Sequence, residues 1–210
     1  MYNPTMKIYF DVGAELGITS IPLARANPDA LFYAFEPNPY MVAHLKKETK
    51  DLSNYIIIEK AVSDFNGKSN FNICKLGPTG VSSLLEFSKT ARTNWRGFFL
   101  SVDEKIEVDV IRLDSFIEEN NIISIEYLHV DTQGSDLKVL NGLGKYLSIV
   151  KQGQVEAAVR PESLYVNQNT YQDTMSFLTN NGFDIVKIDA EGGMRECNIK
   201  FKKFDLSFSI

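Results

Sequence analysis

Lys7-Ile8-Tyr9-Phe10-Asp11-Val12-Gly13-Ala14-Glu15-Leu16-Gly17 runs from an apolar segment into a turn with two glycines and two carboxylates. One strand–helix–strand unit later, the apolar run Ala30-Leu31-Phe32-Tyr33-Ala34-Phe35 ends in Glu36-Pro37-Asn38-Pro39. A tight strand-to-helix turn needs backbone that takes unusual dihedrals and lets a ligand approach with no Cβ in the way, and Gly13 and Gly17 supply it. Glu36 ends the next strand, where the carboxyl edge of a parallel sheet places a side chain beside a ribose. The pair reads as a nucleoside-cofactor pocket, with Asp11, Gly13, Ala14, Glu15 and Gly17 on one turn and Glu36, Pro37 and Asn38 on the other.

Charge narrows the cofactor. A dinucleotide site wants G-x-G-x-x-G to receive a pyrophosphate at a helix N-terminus. Here Asp11 precedes the first glycine and Glu15 sits inside the turn, so a pyrophosphate is repelled and the ammonium and sulfonium of S-adenosylmethionine are favoured. The plainer alternative is a strand-turn-helix whose Asp caps a helix. Glu36 following in order favours the cofactor.

Two hundred and ten residues, 44% hydrophobic and 23% charged, suit one globular domain over 1–210 with a sizeable core. A net charge of -5 carries no basic excess, which disfavours RNA or DNA as a partner. Cys74 and Cys197 form no C-x-x-C and read as free thiols. The first strand begins without a secretion signal, and no apolar run approaches a membrane span, so a soluble, cytoplasmic protein is expected.

Apolar β-rich runs alternate with helical patterns, which predicts an α/β fold: a mostly parallel sheet with helices on both faces. Strands are expected near 7–12, 30–36, 54–62, 125–131, 150–158, 183–189 and 196–204, and helices near 16–27, 38–50, 112–120, 135–146 and 170–181. Asp189-Ala190-Glu191-Gly192-Gly193 reads as a hairpin turn, so an antiparallel edge strand is expected to close the sheet. Residues 64–111 break the alternation with a turn, a strand over Ser69 to Cys74, a loop from Gly77-Pro78-Thr79-Gly80 through Ser82 and Ser83, and the aromatics Trp95, Phe98 and Phe99. The insertion either shapes an acceptor site or packs its aromatics under a loop.

The chain resembles the FkbM-type S-adenosylmethionine-dependent methyltransferases from Phe10 to about Glu156. The resemblance rests on the ordered segments Phe10–Gly17, Phe35–Pro39, Ala61-Val62-Ser63-Asp64-Phe65-Asn66-Gly67, Ser82-Ser83-Leu84, Arg112-Leu113-Asp114-Ser115-Phe116 and Leu128–Leu140. It implies a seven-stranded, Rossmann-like class I methyltransferase fold and O-methylation of a hydroxyl on a sugar, glycan or small secondary metabolite. It also makes Ser82 and Ser83 acceptor-side candidates. The family usually carries Asn at Glu15, Lys-Ile-Asp-Val-Glu-Gly over His129–Gly134, and Glu at Asp136. Family members often have extra N-terminal segments, so the acceptor side here is expected to be open or completed by a second subunit in a homo-oligomer.

Transfer to an alcohol needs in-line positioning and removal of a proton, or polarisation by a metal. Asp131, ending the fourth strand, is the leading candidate at the reacting centre, its alternative being a helix cap. Glu156, ending the next strand, is placed to face it, as base, orienter or magnesium ligand, or else to pair with Arg160, itself an acceptor-side candidate. Two candidate oxygen ligands argue against a divalent metal. His129 lies two residues back from Asp131 on the same side and deeper, which suits a buried, hydrogen-bonded histidine better than a catalytic one. Asp64, or the backbone of Ala61 and Val62, is placed for the adenine, and Gln133 for the cofactor beside Asp131. A non-catalytic cofactor-binding or regulatory module is the second reading, motivated by Glu15 and Gln133. A short-chain dehydrogenase is disfavoured, because Tyr-x-x-x-Lys and G-x-G-x-x-G are missing.

Overall fold

The computed structural model describes residues 6–75, 79–97, 99–191 and 193–204. Its strands are β1 (Ile8–Val12), β2 (Leu31–Phe35), β3 (Tyr55–Ile58), β4 (Ala61–Val62), β5 (Gly67–Ile73), β6 (Glu104–Ile111), β7 (Tyr127–Val130), β8 (Gln152–Ala158), β9 (Phe183–Glu191) and β10 (Glu196–Lys203). The α-helices are α1 (Ser20–Ala26), α2 (Pro39–Glu48), α3 (Ala91–Asn94), α4 (Leu113–Glu119), α5 (Asp136–Asn141) and α6 (Tyr171–Asn180). Seven strands form one sheet in the order β3-β2-β1-β7-β8-β10-β9. The pairs β3–β2, β2–β1, β1–β7 and β7–β8 are parallel, and β10 runs antiparallel to both neighbours.

The antiparallel strand expected at the edge therefore lies one place in. The chain passes from β8 through α6 to β9 with a gap of one strand, and the β9–β10 hairpin folds back into that gap, satisfying the backbone groups of β8 and β9 together. Residues 193–195 make this turn, overlapping the predicted one at Gly193, and Gly192 lies outside the described residues.

Alternation sorts each strand between two faces. Ile8, Phe10 and Val12 of β1 join Tyr33, Phe35, Leu128, Val130, Val155, Ile199 and Phe201 in the main core under α4, α5 and α6. On the other face Tyr9, Phe32 and Ala34 pack with Ala24 of α1 and Leu45 of α2. Beyond β1 that second face turns polar, with Tyr127, His129, Gln154 and Asn198 in the positions alternating with the core residues.

Three expected elements differ in extent. The predicted strand near 54–62 breaks after Ile58, where the Lys60 amide bonds the Ile58 carbonyl at 2.8 Å, and β4 leaves to pair with β6. The insertion supplies β5 and the unforeseen β6, whose Ile106, Val108 and Val110 alternate over a core with Ala61, Phe71 and Ile73. The helix expected near 135–146 stops at Asn141. Gly142 sits against the Ser63 carbonyl, 2.4 Å from where a Cβ would be, and Gly144 is left-handed at φ +50°. A 3₁₀ turn over Gly144–Ile149 follows.

Gly153 in β8 has no room for a side chain: a Cβ would fall 2.2 Å from the Leu128 carbonyl and 2.6 Å from Phe201. Gly153→Ala is expected to cost about 3 kcal/mol, a drop of roughly 6–12 °C in melting temperature by calorimetry.

Candidate functional site

Gly13 stands at the carboxyl end of β1 with φ +83°, and a Cβ there would lie 1.8 Å from the Asp131 carbonyl oxygen. Only glycine permits this crossing of the β1 and β7 ends. The three amides that follow β1 all point to the end of β2. Those of Gly13 and Ala14 donate to the Phe35 carbonyl at 3.0 and 3.1 Å, and that of Glu15 to Glu36 Oε2 at 2.8 Å. Glu36 Oε1 accepts from the Asn38 amide at 2.8 Å, while Asn38 caps α2 through the Tyr40 amide. The Glu36 carboxyl thus knits both turns together.

These turns border a cleft at the carboxyl edge of the sheet. It is lined by Gly13, Glu15, Glu36, Pro37, Asn38, Met41, Lys60, Ala61, Val62, Phe71, Gly80, Ser82, Leu84, Asp131, Thr132 and Gln133. Glu15 takes φ +46° and its carboxylate approaches Gly80, 3.4 Å from where a Cβ would stand.

Several residues placed at the site by sequence lie elsewhere. Asp11 is buried on the face away from the cleft. It accepts from Ser20 Oγ and bonds His129 Nδ1 at 2.8 Å, and Ser20 also meets the Tyr55 hydroxyl at 2.7 Å. The register explains this, because Asp11 and His129 are direct partners across β1 and β7. Ala14 packs in the smaller core. Gly17, at φ +69°, turns the chain against Ile21 and Leu45. Asp64 is exposed, accepts from Ser63 Oγ at 3.2 Å and offers its carbonyl to Arg112. Ser83 Oγ is buried and donates to the Gln133 carbonyl at 2.7 Å. Arg160 is exposed past the end of β8, outside the cleft lining.

Behind the lining, Glu156 is buried on β8, and it bonds Gln133 Nε2 at 3.0 Å and the Asp131 carboxyl rather than Arg160. Gln133 Nε2 also reaches Asp131 Oδ1 at 2.9 Å. No side chain caps α5, so Asp131 does not serve as its cap; Asp136 closes the turn before the helix, accepting from the Thr132 amide, the Thr132 hydroxyl and the Gly134 amide. Tyr165, unremarked in the sequence, stacks on Phe87 and bonds Gln133 Oε1 at 3.0 Å. Trp95 is buried in a cluster with Cys74, Val81 and Leu164, Phe99 is exposed, and Phe98, Gly77 and Pro78 lie outside the described residues. Lys60, Met41, Phe71 and Leu84 were also missed; the Ile106-x-Val108-x-Val110 alternation is the signal that would have located the sheet carrying Phe71.

Burial perturbs the acids. Desolvation raises the Glu36 carboxyl to about 7 against the opposing bonds from Asn38 and Glu15. Burial and the charge of Asp131 raise Asp136 to about 7. Burial, then the charges of Asp131, Glu196 and Asp136, push Glu156 well above the carboxylate range. Burial lowers His129, but the hydrogen bond and charge of Asp11, with Asp131 and Asp136, outweigh it and leave a net rise. Among the described residues no three His, Cys, Asp or Glu side chains are grouped to hold a metal. No helix among them is long and apolar enough to cross a membrane.

The strand order and the cleft at the carboxyl edge define a class I methyltransferase fold. The chain matches the methyltransferase FkbM domain over residues 11–185 and belongs to that family. It is similar to the 2-O-methyltransferase NoeI of Sinorhizobium fredii, 24% identical over 139 residues, 64% of this chain and 56% of that protein. The FkbM methyltransferase structure from Methylobacillus flagellatus KT superposes with a TM-score of 0.60 at 13% identity, over 96% of this chain and 44% of the other. Aeropyrum pernix fibrillarin, solved with natively bound S-adenosyl-L-methionine, shares the fold at TM-score 0.54 and 10% identity, over 93% of this chain and 66% of that one. The chain thus spans about half the length of NoeI and of the Methylobacillus flagellatus protein.

A folded pKa above the unfolded value means the native state holds the extra proton, so stability is lost as pH rises between the two values. Glu36, Asp136, Glu156 and His129 all act in this direction. The ligand-free melting temperature is expected to fall as pH rises from about 4.5 to about 7, with Glu36→Gln removing up to about 3 kcal/mol of that loss by differential scanning calorimetry.

Proposed function

We propose that this chain uses S-adenosylmethionine to methylate a hydroxyl of an uncharged sugar, glycan or related small molecule. The observation that carries the reading is Glu36. Each of its oxygens already holds one backbone N–H, which leaves acceptor capacity on both for a pair of vicinal hydroxyls at the cleft wall. Among the described residues that line the cleft, Glu15, Glu36 and Asp131 stand against one cation, Lys60, which suits a cationic ligand and disfavours an anionic acceptor.

In this reading Glu36 accepts the ribose hydroxyls, and Ala61 and Val62, with Met41 and Phe71, flank the adenine. Glu15 and Asp131 face the amino-acid end. When bound, the cofactor supplies an electrophilic methyl group on its sulfonium. Asp131, at the cleft surface, takes the proton of the acceptor hydroxyl. Glu156, a step behind it, orients rather than touches the acceptor, and Ser82 with Leu84 borders the acceptor. The hydroxyl specificity draws support from the 2-O-methyltransferase relative, which this chain matches over part of its length.

S-adenosylhomocysteine at about a hundredfold over its Kd is expected to stabilise the protein by about 2.7 kcal/mol in a thermal-shift assay, and Glu36→Ala to abolish that shift. Asp131→Asn is expected to lower kcat about 100-fold on a neutral sugar acceptor while S-adenosylhomocysteine still binds. Stabilisation by NADH in place of S-adenosylhomocysteine would sink the assignment, whereas cofactor binding without turnover across neutral and charged acceptors would favour a non-catalytic module.

A further inference from the structure

Gln133 is held on every side. Its backbone is left-handed at φ +56°, its carbonyl takes the Ser83 hydroxyl at 2.7 Å, and its Oε1 takes the Tyr165 hydroxyl at 3.0 Å. Its Nε2 lies 2.9 Å from Asp131 Oδ1 and 3.0 Å from Glu156 Oε2. The two carboxyls face the NH₂ group, which sets which end of the amide is which, while the Tyr165 hydroxyl is shared between Gln133 Oε1 and the Val81 carbonyl at 2.8 Å.

The neighbourhood explains why a donor is needed there. Asp131 follows β7 and Glu156 sits on β8, parallel partners in the sheet, so the register itself brings the two acids together. Asp136 at the start of α5, Glu196 on β10 and His129 on β7 add charge around them, with the Tyr165 ring closing the outer side. Two acids so close in a buried site ordinarily share a proton or hold a cation between them. Here Glu156 hydrogen-bonds Asp131 directly, and the neutral amide of Gln133 adds one N–H bond to each acid.

We propose that Gln133 is a positioning residue that takes the place of a cation between Asp131 and Glu156, holding Asp131 at the cleft surface. Exchanging its amide for an acid then turns the cluster into a site that demands a proton or a divalent ion. Only the consequence for rate rests on the methyl-transfer reading; the stability consequence does not.

The test compares the full-length Gln133→Glu, Gln133→Leu, Glu156→Gln and swapped Gln133→Glu/Glu156→Gln proteins by thermal shift, with EDTA or millimolar Mn²⁺. Gln133→Glu is expected to melt about 5 °C or more below wild type at about pH 8, and to recover at about pH 5.5 or with Mn²⁺. The swap, which restores one amide among the acids, melts near wild type and ignores Mn²⁺. Gln133→Leu, with no donor and no new acid, stays low with or without Mn²⁺. The proposal is overturned if Gln133→Glu melts like wild type and is blind to Mn²⁺, or if the swap is no better than the single variant. A wild-type Mn²⁺ shift that Glu156→Gln removes would overturn it as well. Should Gln133→Glu not fold, recovery of folded swapped protein supports the proposal and its failure overturns it. If the thermal results come out as expected while no acceptor is methylated, the methyl-transfer reading fails and the cation replacement stands.

Discussion

Three successive amides, those of Gly13, Ala14 and Glu15, reach from the end of β1 to the end of β2, and the last of them lands on a buried carboxyl. Bonds to a charged acceptor are among the stronger ones a backbone makes, about 1.5–3 kcal/mol each. Yet Glu36 remains raised to about 7, so burial outweighs the two amides that hold it. The first turn can take this path only because Gly13 passes directly against the Asp131 carbonyl. One contact therefore ties the ends of β2, β1 and β7, and the cleft is the space these three ends leave open.

Around that knot the polar groups form two separate systems on β1 and β7. On the covered face Asp11, His129, Ser20 and Tyr55 bond among themselves and hold the strands together. At the carboxyl edge Asp131, Gln133, Glu156 and Tyr165 form a second set that meets the cleft through Asp131 and Gln133. One residue, Val130, separates the structural His129–Asp11 pair from Asp131 at the cleft. Buried polar networks of this kind are stable only when every member is satisfied, and the interlocking partners of Gln133 meet that demand.

The sheet, its mostly parallel sense and the two turns at its edge were legible, because hydrophobic period and glycine placement are local properties of the chain. Glu36, Asp131 and Gln133 stand at the cleft where strand ends put them. Asp11, Ala14, Gly17 and Asp64 do not line it, although they belong to the same segments; side-chain direction along a strand alternates, and membership in a motif does not say which way a residue points. Ser83 Oγ bonds the Gln133 carbonyl rather than lining the cleft. The position of β10 inside the edge was not readable, since hairpins are read from turns whereas strand order is decided by which gap a strand can fill.

Sequence by itself determined the family, the α/β alternation and the acids that end the strands, because each rests on residues close together in the chain. Tertiary structure alone decided that Gln133 joins Asp131 to Glu156 under Tyr165, that Asp11 is spent on His129, and that Lys60, Phe71 and Leu84 wall the cleft. Those pairings span tens of residues and depend on strand register, where a shift of one residue sends every side chain to the opposite face.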